Sequence, residues 1–251
     1  MIGLRRSSIQ LQTLSALAIL ASLVFWEPIS GQSRIDQPSF SAKAITIYPG
    51  KEIVSPDKKI KIHLQNLRAH LNDSPGDFPA RLIVDADGKQ LTATFGFSLD
   101  AEIVWSPDSK AFSLTGSVRG ANGQYTTDVF LIQSGKLVPI HLTDMVEREF
   151  GHPVKCGWPE PPNVAAVKWL SPSNQLLVAA EIMHHSNCDS FGTFKGYVVD
   201  LPEPHITKVY SQLQVKRLFR SDLGEELVQA DDNCIRNPKS CRVNSNWQSK
   251  P

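Results

Sequence analysis

Short runs of alternating apolar and polar residues recur along the middle of the chain. The clearest run is Ile60-Lys61-Ile62-His63-Leu64, whose period of two predicts a half-buried strand with His63 on its outer face. Gly, Pro, Asn and Asp separate these runs, which is typical of many short strands joined by turns, and we therefore predict an all-β domain. The predicted strands, which include continuous apolar runs as well as alternating ones, are residues 44–48, 60–64, 81–84, 90–97, 103–105, 111–118, 128–132, 137–142, 167–170, 176–183, 197–199 and 206–210.

A turn that begins with Ser-Pro occurs three times, each time between two of these strands. Pro presets the backbone for the first corner of a type I turn, and the Ser and Asp side chains can bond nearby amides. A second turn follows each copy after a similar interval, which predicts propeller-like units of four antiparallel strands over residues 44–211. Because the turn recurs, we interpret Ser55 and Lys58 as turn residues and not as a Ser-x-x-Lys catalytic pair. The turn residues are Ser55, Pro56, Asp57, Ser106, Pro107, Asp108, Ser171 and Pro172.

The stretch Ile103–Lys110 reads Ile-Val-Trp-Ser-Pro-Asp-Ser-Lys and precedes an alternating strand. This pattern resembles the repeat of TolB-type β-propellers, in which Trp-Ser-Pro-Asp-Gly-Lys leads into a strand. The resemblance implies propeller blades and protein–protein contacts in the cell envelope. We expect Trp105 and Trp169 to pack between adjacent sheets. The Gly of the family pattern is replaced in the three units by Lys58, Ser109 and Asn174.

The number of units bears on whether such a propeller closes. Propellers typically close with four to eight blades, and this chain has three units, which predicts an incomplete or open arrangement. If the sheet edges are exposed, we expect them to pair with another copy or to be covered by residues 212–230. Residues 212–230 fit either a short helix or a further strand pair, within a small irregular or helical C-terminal segment over residues 212–251.

The N-terminal residues have the pattern of a targeting segment. Arg5 and Arg6 precede an apolar run over residues 14–26, and small residues follow it up to position 33. This order predicts a signal peptide over residues 1–31, followed by a leader over residues 32–43, and therefore a periplasmic or secreted location. The alternative is an uncleaved membrane anchor, because the uncharged interval approaches membrane-spanning length.

The charge balance argues against a nucleic-acid partner. The whole chain has 26 basic and 25 acidic residues, and Arg5, Arg6 and Glu27 are the charged residues of the first 31. The remaining charges cancel, so the chain lacks the basic surface that neutralises a phosphate backbone.

All four cysteines follow residue 150, which fits an exported domain with two disulfides. We predict the local pairs Cys156–Cys188 and Cys234–Cys241. The alternative is a zinc site, since two thiols and nearby imidazoles are suitable ligands. Its residues would be His152, Cys156, His184, His185 and Cys188.

Two stretches interrupt the repeat and are the places where function is expected. The first, residues 144–163, contains Trp158 among prolines. Trp158 is either an exposed anchor for a partner or a side chain that covers the core. The second, residues 184–194, begins with His184 and His185 and contains Asp189. No cofactor motif or catalytic signature is present in the sequence.

Two hypotheses of function follow. The first is a non-catalytic exported binding or scaffold protein that contacts a protein partner or a small ligand through its loops. The second is a hydrolase or metal-dependent enzyme that uses the neighbourhood of His184, His185 and Asp189.

Overall fold

A computed structural model of the chain describes residues 39–66, 80–95, 101–117, 124–151, 161–171, 174–182 and 192–230. These residues form three antiparallel sheets with few helices, so the prediction of an all-β fold with blade-like units is confirmed. The first strand in the described part of the chain is β1 (Ile45–Ile47).

The first sheet contains β2 (Glu52–Val54), β3 (Ile60–Asn66), β4 (Ala80–Ala86) and β5 (Lys89–Phe95), paired in this order. In β3, Ile62 and Leu64 are buried and His63 is half-buried on the opposite face, as the alternation predicts. That outer face is polar, and Lys61 and Glu52 form an ion pair on it over 2.9 Å.

The second sheet contains β6 (Ala101–Trp105), β7 (Ala111–Ser117), β8 (Tyr125–Gln133) and β9 (Lys136–His141). A fifth strand, β1, pairs with β6 in antiparallel register, with Ile45 opposite Ile103. The sequence predicts β1 as a strand but not its place in the second sheet, because no local pattern specifies a partner so far along the chain.

The third sheet contains β10 (Asn163–Leu170), β11 (Gln175–Glu181), β12 (Phe194–Asp200) and β13 (His205–Ser211), paired in this order. Helix α1 (Thr143–Phe150) precedes this sheet. Helix α1 is not predicted from the sequence, although Val146 and Phe150, four residues apart and both buried, mark its inner face.

The C-terminal segment is helical over its described part. It comprises α2 (Gln212–Leu218), a 3₁₀ turn (Arg220–Asp222) and α3 (Glu225–Gln229). Ser211 and Gln214 form a capping box that starts α2 directly after β13. Of the two alternatives left open by the sequence, the helix is therefore present. None of the helices in the described ranges is long and apolar enough to cross a membrane.

Three hydrophobic cores lie between successive layers. Ile62 and Phe112 belong to the core between the first and second sheets. Val104 and Trp169 belong to the core between the second and third sheets, to which α1 also contributes. The third core joins the other face of the third sheet to the C-terminal helices. Among the described residues, no core joins the first sheet to the third.

The first two Ser-Pro turns have the same hydrogen bonds atom for atom. Ser55 Oγ donates to Asp57 Oδ1 over 2.6 Å and accepts from the Ile60 amide over 3.0 Å. Ser106 makes the equivalent bonds to Asp108 and Ala111, over 2.7 and 2.9 Å. Ser55 has a structural role because its Oγ makes its hydrogen bonds within the turn. The recurrence of this turn in the sequence indicates the same role.

The segment Ser39–Lys43, hereafter the N-terminal segment, is the described part of the predicted leader. It is packed into the fold: Phe40 and Ser41 are fully buried. The Ser39 and Phe40 amides donate to the Glu102 carboxylate, and Ser41 Oγ donates to the Val167 carbonyl over 2.6 Å. The segment therefore links the second sheet to the third, which its polar sequence does not reveal.

Candidate functional site

The strand ends fall into two groups. The Ser-Pro turns at Ser55 and Ser106 and the tight hairpins at residues 87–88 and 134–135 lie at one end of the sheets, hereafter the turn end. The strand ends that bound the connections between the second and third strands of each sheet, and between strands of different sheets, lie at the opposite end, hereafter the loop end. These connections are residues 48–51, 67–79, 96–100, 118–124, 142–162 and 182–193.

Inter-sheet hydrogen bonds align the turn ends of the three sheets. The Asp57 amide donates to Ser109 Oγ over 3.2 Å and joins the first two Ser-Pro turns. Trp169 Nε1 donates to the Val104 carbonyl over 2.9 Å, and both residues lie just before a Ser-Pro turn. Trp169 thus packs between two sheets as predicted, and Trp105 lies against the core of the first and second sheets.

A second group of bonds aligns the loop ends of the second and third sheets. The Tyr125 amide, at the start of β8, donates to Asn163 Oδ1 at the start of β10, over 3.1 Å. Gln124 donates to Glu147 of α1 and to the Pro162 carbonyl. The loop ends of these sheets are therefore held side by side by polar contacts.

Buried hydroxyl groups satisfy the backbone of β10, which is an edge strand of the third sheet. Thr127 Oγ1 donates to the Val164 carbonyl over 2.8 Å, and the Ala166 amide donates to Thr115 Oγ1 over 3.1 Å. Side chains of the second sheet thus cover the edge at β10, where the sequence predicts a second copy or residues 212–230. Residues 212–230 contribute instead to the core on the open face of the third sheet.

The end of the first stretch lies beside the start and the end of the second stretch. Helix α1 ends at Phe150, before the first stretch returns into β10 at Asn163. Asn163 pairs with Glu181, the last residue of β11, and Glu181 pairs with Phe194, the first residue of β12. The strand that ends the first stretch is therefore a neighbour of the two strands that bound the second.

Several ionisable side chains lie beside these strand ends. Burial lowers the pKa of Lys195, and the negative charge of Glu149 opposes that effect. Burial, and secondarily the charge of Glu149, raise the pKa of the Tyr197 phenol. The Tyr197 side chain is fully buried, and its hydroxyl has no hydrogen-bond partner among the described residues. Glu181 is a fully buried carboxylate among the apolar residues of β11.

Glu181, Lys195 and Tyr197 are not predicted from the sequence as functional residues. Glu181 is detectable as the charge that ends an apolar run, whereas the burial of Lys195 and Tyr197 depends on α1, which the pattern missed. Of the turn residues, Pro172 lies outside the described residues. The remaining predicted site residues also lie outside them: His152, Cys156, Trp158, His184, His185, Cys188, Asp189, Cys234 and Cys241.

Comparison with known proteins adds no relative to this description. No protein-family model, no curated protein and no solved structure matches the chain. Within the part of the chain that the structure describes, no group of three or more His, Cys, Asp or Glu side chains is placed to hold a metal ion.

Proposed function

We propose that this protein is an exported, non-catalytic binding or scaffold protein of TolB-like architecture, which contacts a protein partner or a small ligand through its loop end. The observation that carries the proposal is the division of connections. The strand ends that bound the longest connections, including both stretches that interrupt the repeat, lie at one end of the sheets. Binding residues are commonly carried on loops positioned by a rigid scaffold.

The opposite end provides the rigidity that such loops need. Tight turns, their internal hydrogen bonds and the Asp57–Ser109 bond join the first two sheets there. At the loop end, the hydrogen bonds of Gln124 and Asn163 hold the second and third sheets side by side.

Site-specific photo-crosslinking tests the proposal directly. A photoreactive amino acid is placed at position 158 or 185, in the stretches that interrupt the repeat, and, in control variants, at Lys89 or Lys136. Both control residues are exposed and directly follow hairpins of the turn end. We expect a defined crosslinked species only from the first pair. Equal crosslinking from the turn end would contradict the proposal.

Export is a separate part of the proposal and needs its own measurement. Fusion of a reporter enzyme that is active only outside the cytoplasm, after residue 230, should yield activity that depends on the apolar run over residues 14–26. Activity that persists without this run would contradict export through it. N-terminal sequencing of the recovered protein then distinguishes a cleaved signal from an anchor.

A further inference from the structure

Each sheet has two edge strands, and all but one of these edges, within the described part of the chain, carry a feature that hinders pairing with another chain. β1 and β2 have 3 residues each, and side chains of the second sheet cover β10. β9 contains Pro139, whose backbone nitrogen cannot donate a hydrogen bond. β13 has an irregular register opposite Val198 and Val199 and carries the cation of Lys208.

The outer edge of the first sheet, β5, is the exception among the described strands. Its register with β4 is regular from Lys89 to Phe95, over 7 residues, with no bulge and no proline. Its one charged residue, Lys89, is the first of the strand. Gln90, Thr92 and Thr94 are exposed. β5 is therefore a long, regular and weakly charged edge, which is the kind that pairs with a further strand.

The hairpin between β4 and β5 determines which backbone groups face this edge. Asp87 and Gly88 have positive φ, 50° and 73°, as in a type I′ turn, and Ala86 pairs with Lys89. The pair that closes such a two-residue turn is hydrogen-bonded, and hydrogen-bonded and non-hydrogen-bonded pairs alternate along an antiparallel ladder. The backbone groups that point away from β4 therefore belong to Gln90, Thr92 and Thr94.

We propose that β5 pairs with β5 of a second copy of this chain, in an antiparallel register centred on Thr92, and so joins two four-stranded sheets into one. In this register the outward-facing N–H and C=O groups of Thr92 meet those of Thr92 in the other copy. Gln90 of each copy meets Thr94 of the other in the same way. The pairing has a two-fold axis, which is the commonest symmetry of homo-oligomers.

The side chains of β5 are compatible with this self-pairing. Lys89 lies opposite position 95 of the other copy, so like charges do not face each other across the two strands. Thr92 lies opposite Thr92, and Thr–Thr neighbours across strands are a favourable pair. On the core face, where Leu91 and Ala93 pack partly buried against the first core, Leu91 meets Ala93 of the other copy.

The pairing uses the side of a strand and not the loop end, so it is independent of the proposed binding function. An interface of one short strand from each copy is smaller than those of permanent dimers. We therefore expect a reversible equilibrium between monomer and dimer that depends on protein concentration.

Two substitutions of opposite charge at Thr92 test the proposal in the full chain. Position 92 faces itself in the dimer, so Thr92→Lys and Thr92→Glu each place like charges opposite one another. In sedimentation velocity over a concentration series, each variant alone should lose the self-association of the parent. An equal mixture of the two variants should recover it, because Lys then faces Glu. The same two substitutions at Val209, which is 43% exposed on β13, are the control and should leave self-association as in the parent.

Amide hydrogen exchange of the parent locates the interface. We expect the amides of Gln90, Thr92 and Thr94 to exchange more slowly as the protein concentration rises. The proposal is overturned if the parent stays monomeric throughout its soluble range, or if it associates with no change at these amides. It is also overturned if the mixture of the Lys and Glu variants stays as monomeric as each variant alone.

Discussion

The backbone amide of Asp57 donates a hydrogen bond to Ser109 Oγ, and this bond joins Ser-Pro turns of two different sheets. Ser109 has a left-handed backbone with φ 59°, a conformation that favours Gly. Lys58 occupies the equivalent position with φ 65°, and its side chain is exposed. The residues that occupy the Gly position of the TolB-type pattern therefore differ: Ser109 makes a side-chain hydrogen bond between sheets, whereas the side chain of Lys58 is exposed.

This difference predicts that glycine changes the free energy of unfolding differently at the two positions. Lys58→Gly should raise the free energy of unfolding by about 0.5–1 kcal/mol, because Gly adopts a positive φ without the steric cost of a Cβ. Ser109→Gly should give no net gain, because the loss of a hydrogen bond of about 1 kcal/mol offsets the relief. Urea denaturation of both variants provides the measurement. An equal gain in both would show that the Asp57–Ser109 bond contributes nothing.

The sequence predicts those parts of the fold that depend on local chemistry. Alternation locates most of the strands, and Pro, Asp and Gly locate the turns, because each signal acts within a few residues. The pairing of β1 with β6 and the burial of Phe40 depend on contacts between distant parts of the chain, and no local pattern encodes them. The sequence identifies the two interruptions of the repeat, and the pairing of Asn163 with Glu181 shows that the strand ending the first lies next to the strand that begins the second.

The indole N–H groups of the two tryptophans that precede Ser-Pro turns should contribute differently to the free energy of unfolding. Trp169 Nε1 donates to the Val104 carbonyl, whereas the buried Trp105 Nε1 has no partner among the described residues. Benzothienylalanine has the shape of Trp but lacks the N–H. At position 169 it should lower the free energy of unfolding by about 1 kcal/mol.

The same replacement at position 105 is the matched control. It should leave stability unchanged or raise it, because it removes a buried donor that is left without an acceptor. Thermal and urea unfolding of the two labelled proteins, compared with the unlabelled chain, would measure both effects. A loss of equal size at both positions would contradict the assignment of the inter-sheet bond to Trp169.

Gly224 should tolerate no side chain, because the N-terminal segment passes directly against it. A Cβ at Gly224 would lie 2.3 Å from the Ser39 carbonyl oxygen, which belongs to the backbone and cannot rotate away. Gly224→Ala should therefore lower the free energy of unfolding by about 2 kcal/mol or more and expose residues 39–43 to proteolysis.

Glu102→Gln tests the same segment without a steric clash. The neutral amide accepts hydrogen bonds from the Ser39 and Phe40 amides less strongly than the carboxylate does. We expect hydrogen exchange at these two amides to accelerate while the third sheet remains protected. Unchanged exchange in the Gln variant and unchanged proteolysis in the Ala variant would show that the segment is not held by these contacts.

Asp57 and Asp128 should contribute to the pH dependence of stability with opposite signs. A side-chain hydrogen bond from Ser55 is the main cause that lowers the pKa of Asp57, so its stabilising effect is lost as the pH falls through its folded-state pKa. Burial raises the pKa of Asp128 despite its 2.7 Å contact with His141. The stabilising effect of protonated Asp128 is complete below its unfolded-state pKa and is lost as the pH rises through its folded-state pKa.

At neutral pH, Asp128→Asn should therefore be at least as stable as the parent, because it removes a poorly solvated charge. The stability advantage of the Asn variant should shrink as the pH falls, because Asp128 of the parent becomes protonated in the folded state at a higher pH than in the unfolded state. Asp57→Asn should instead be less stable than the parent at neutral pH, and its deficit should shrink on acidification. Urea titrations of the parent and both variants, from neutral to acidic pH, provide the measurement. Stability differences that run in the same direction for both variants would contradict these pKa directions.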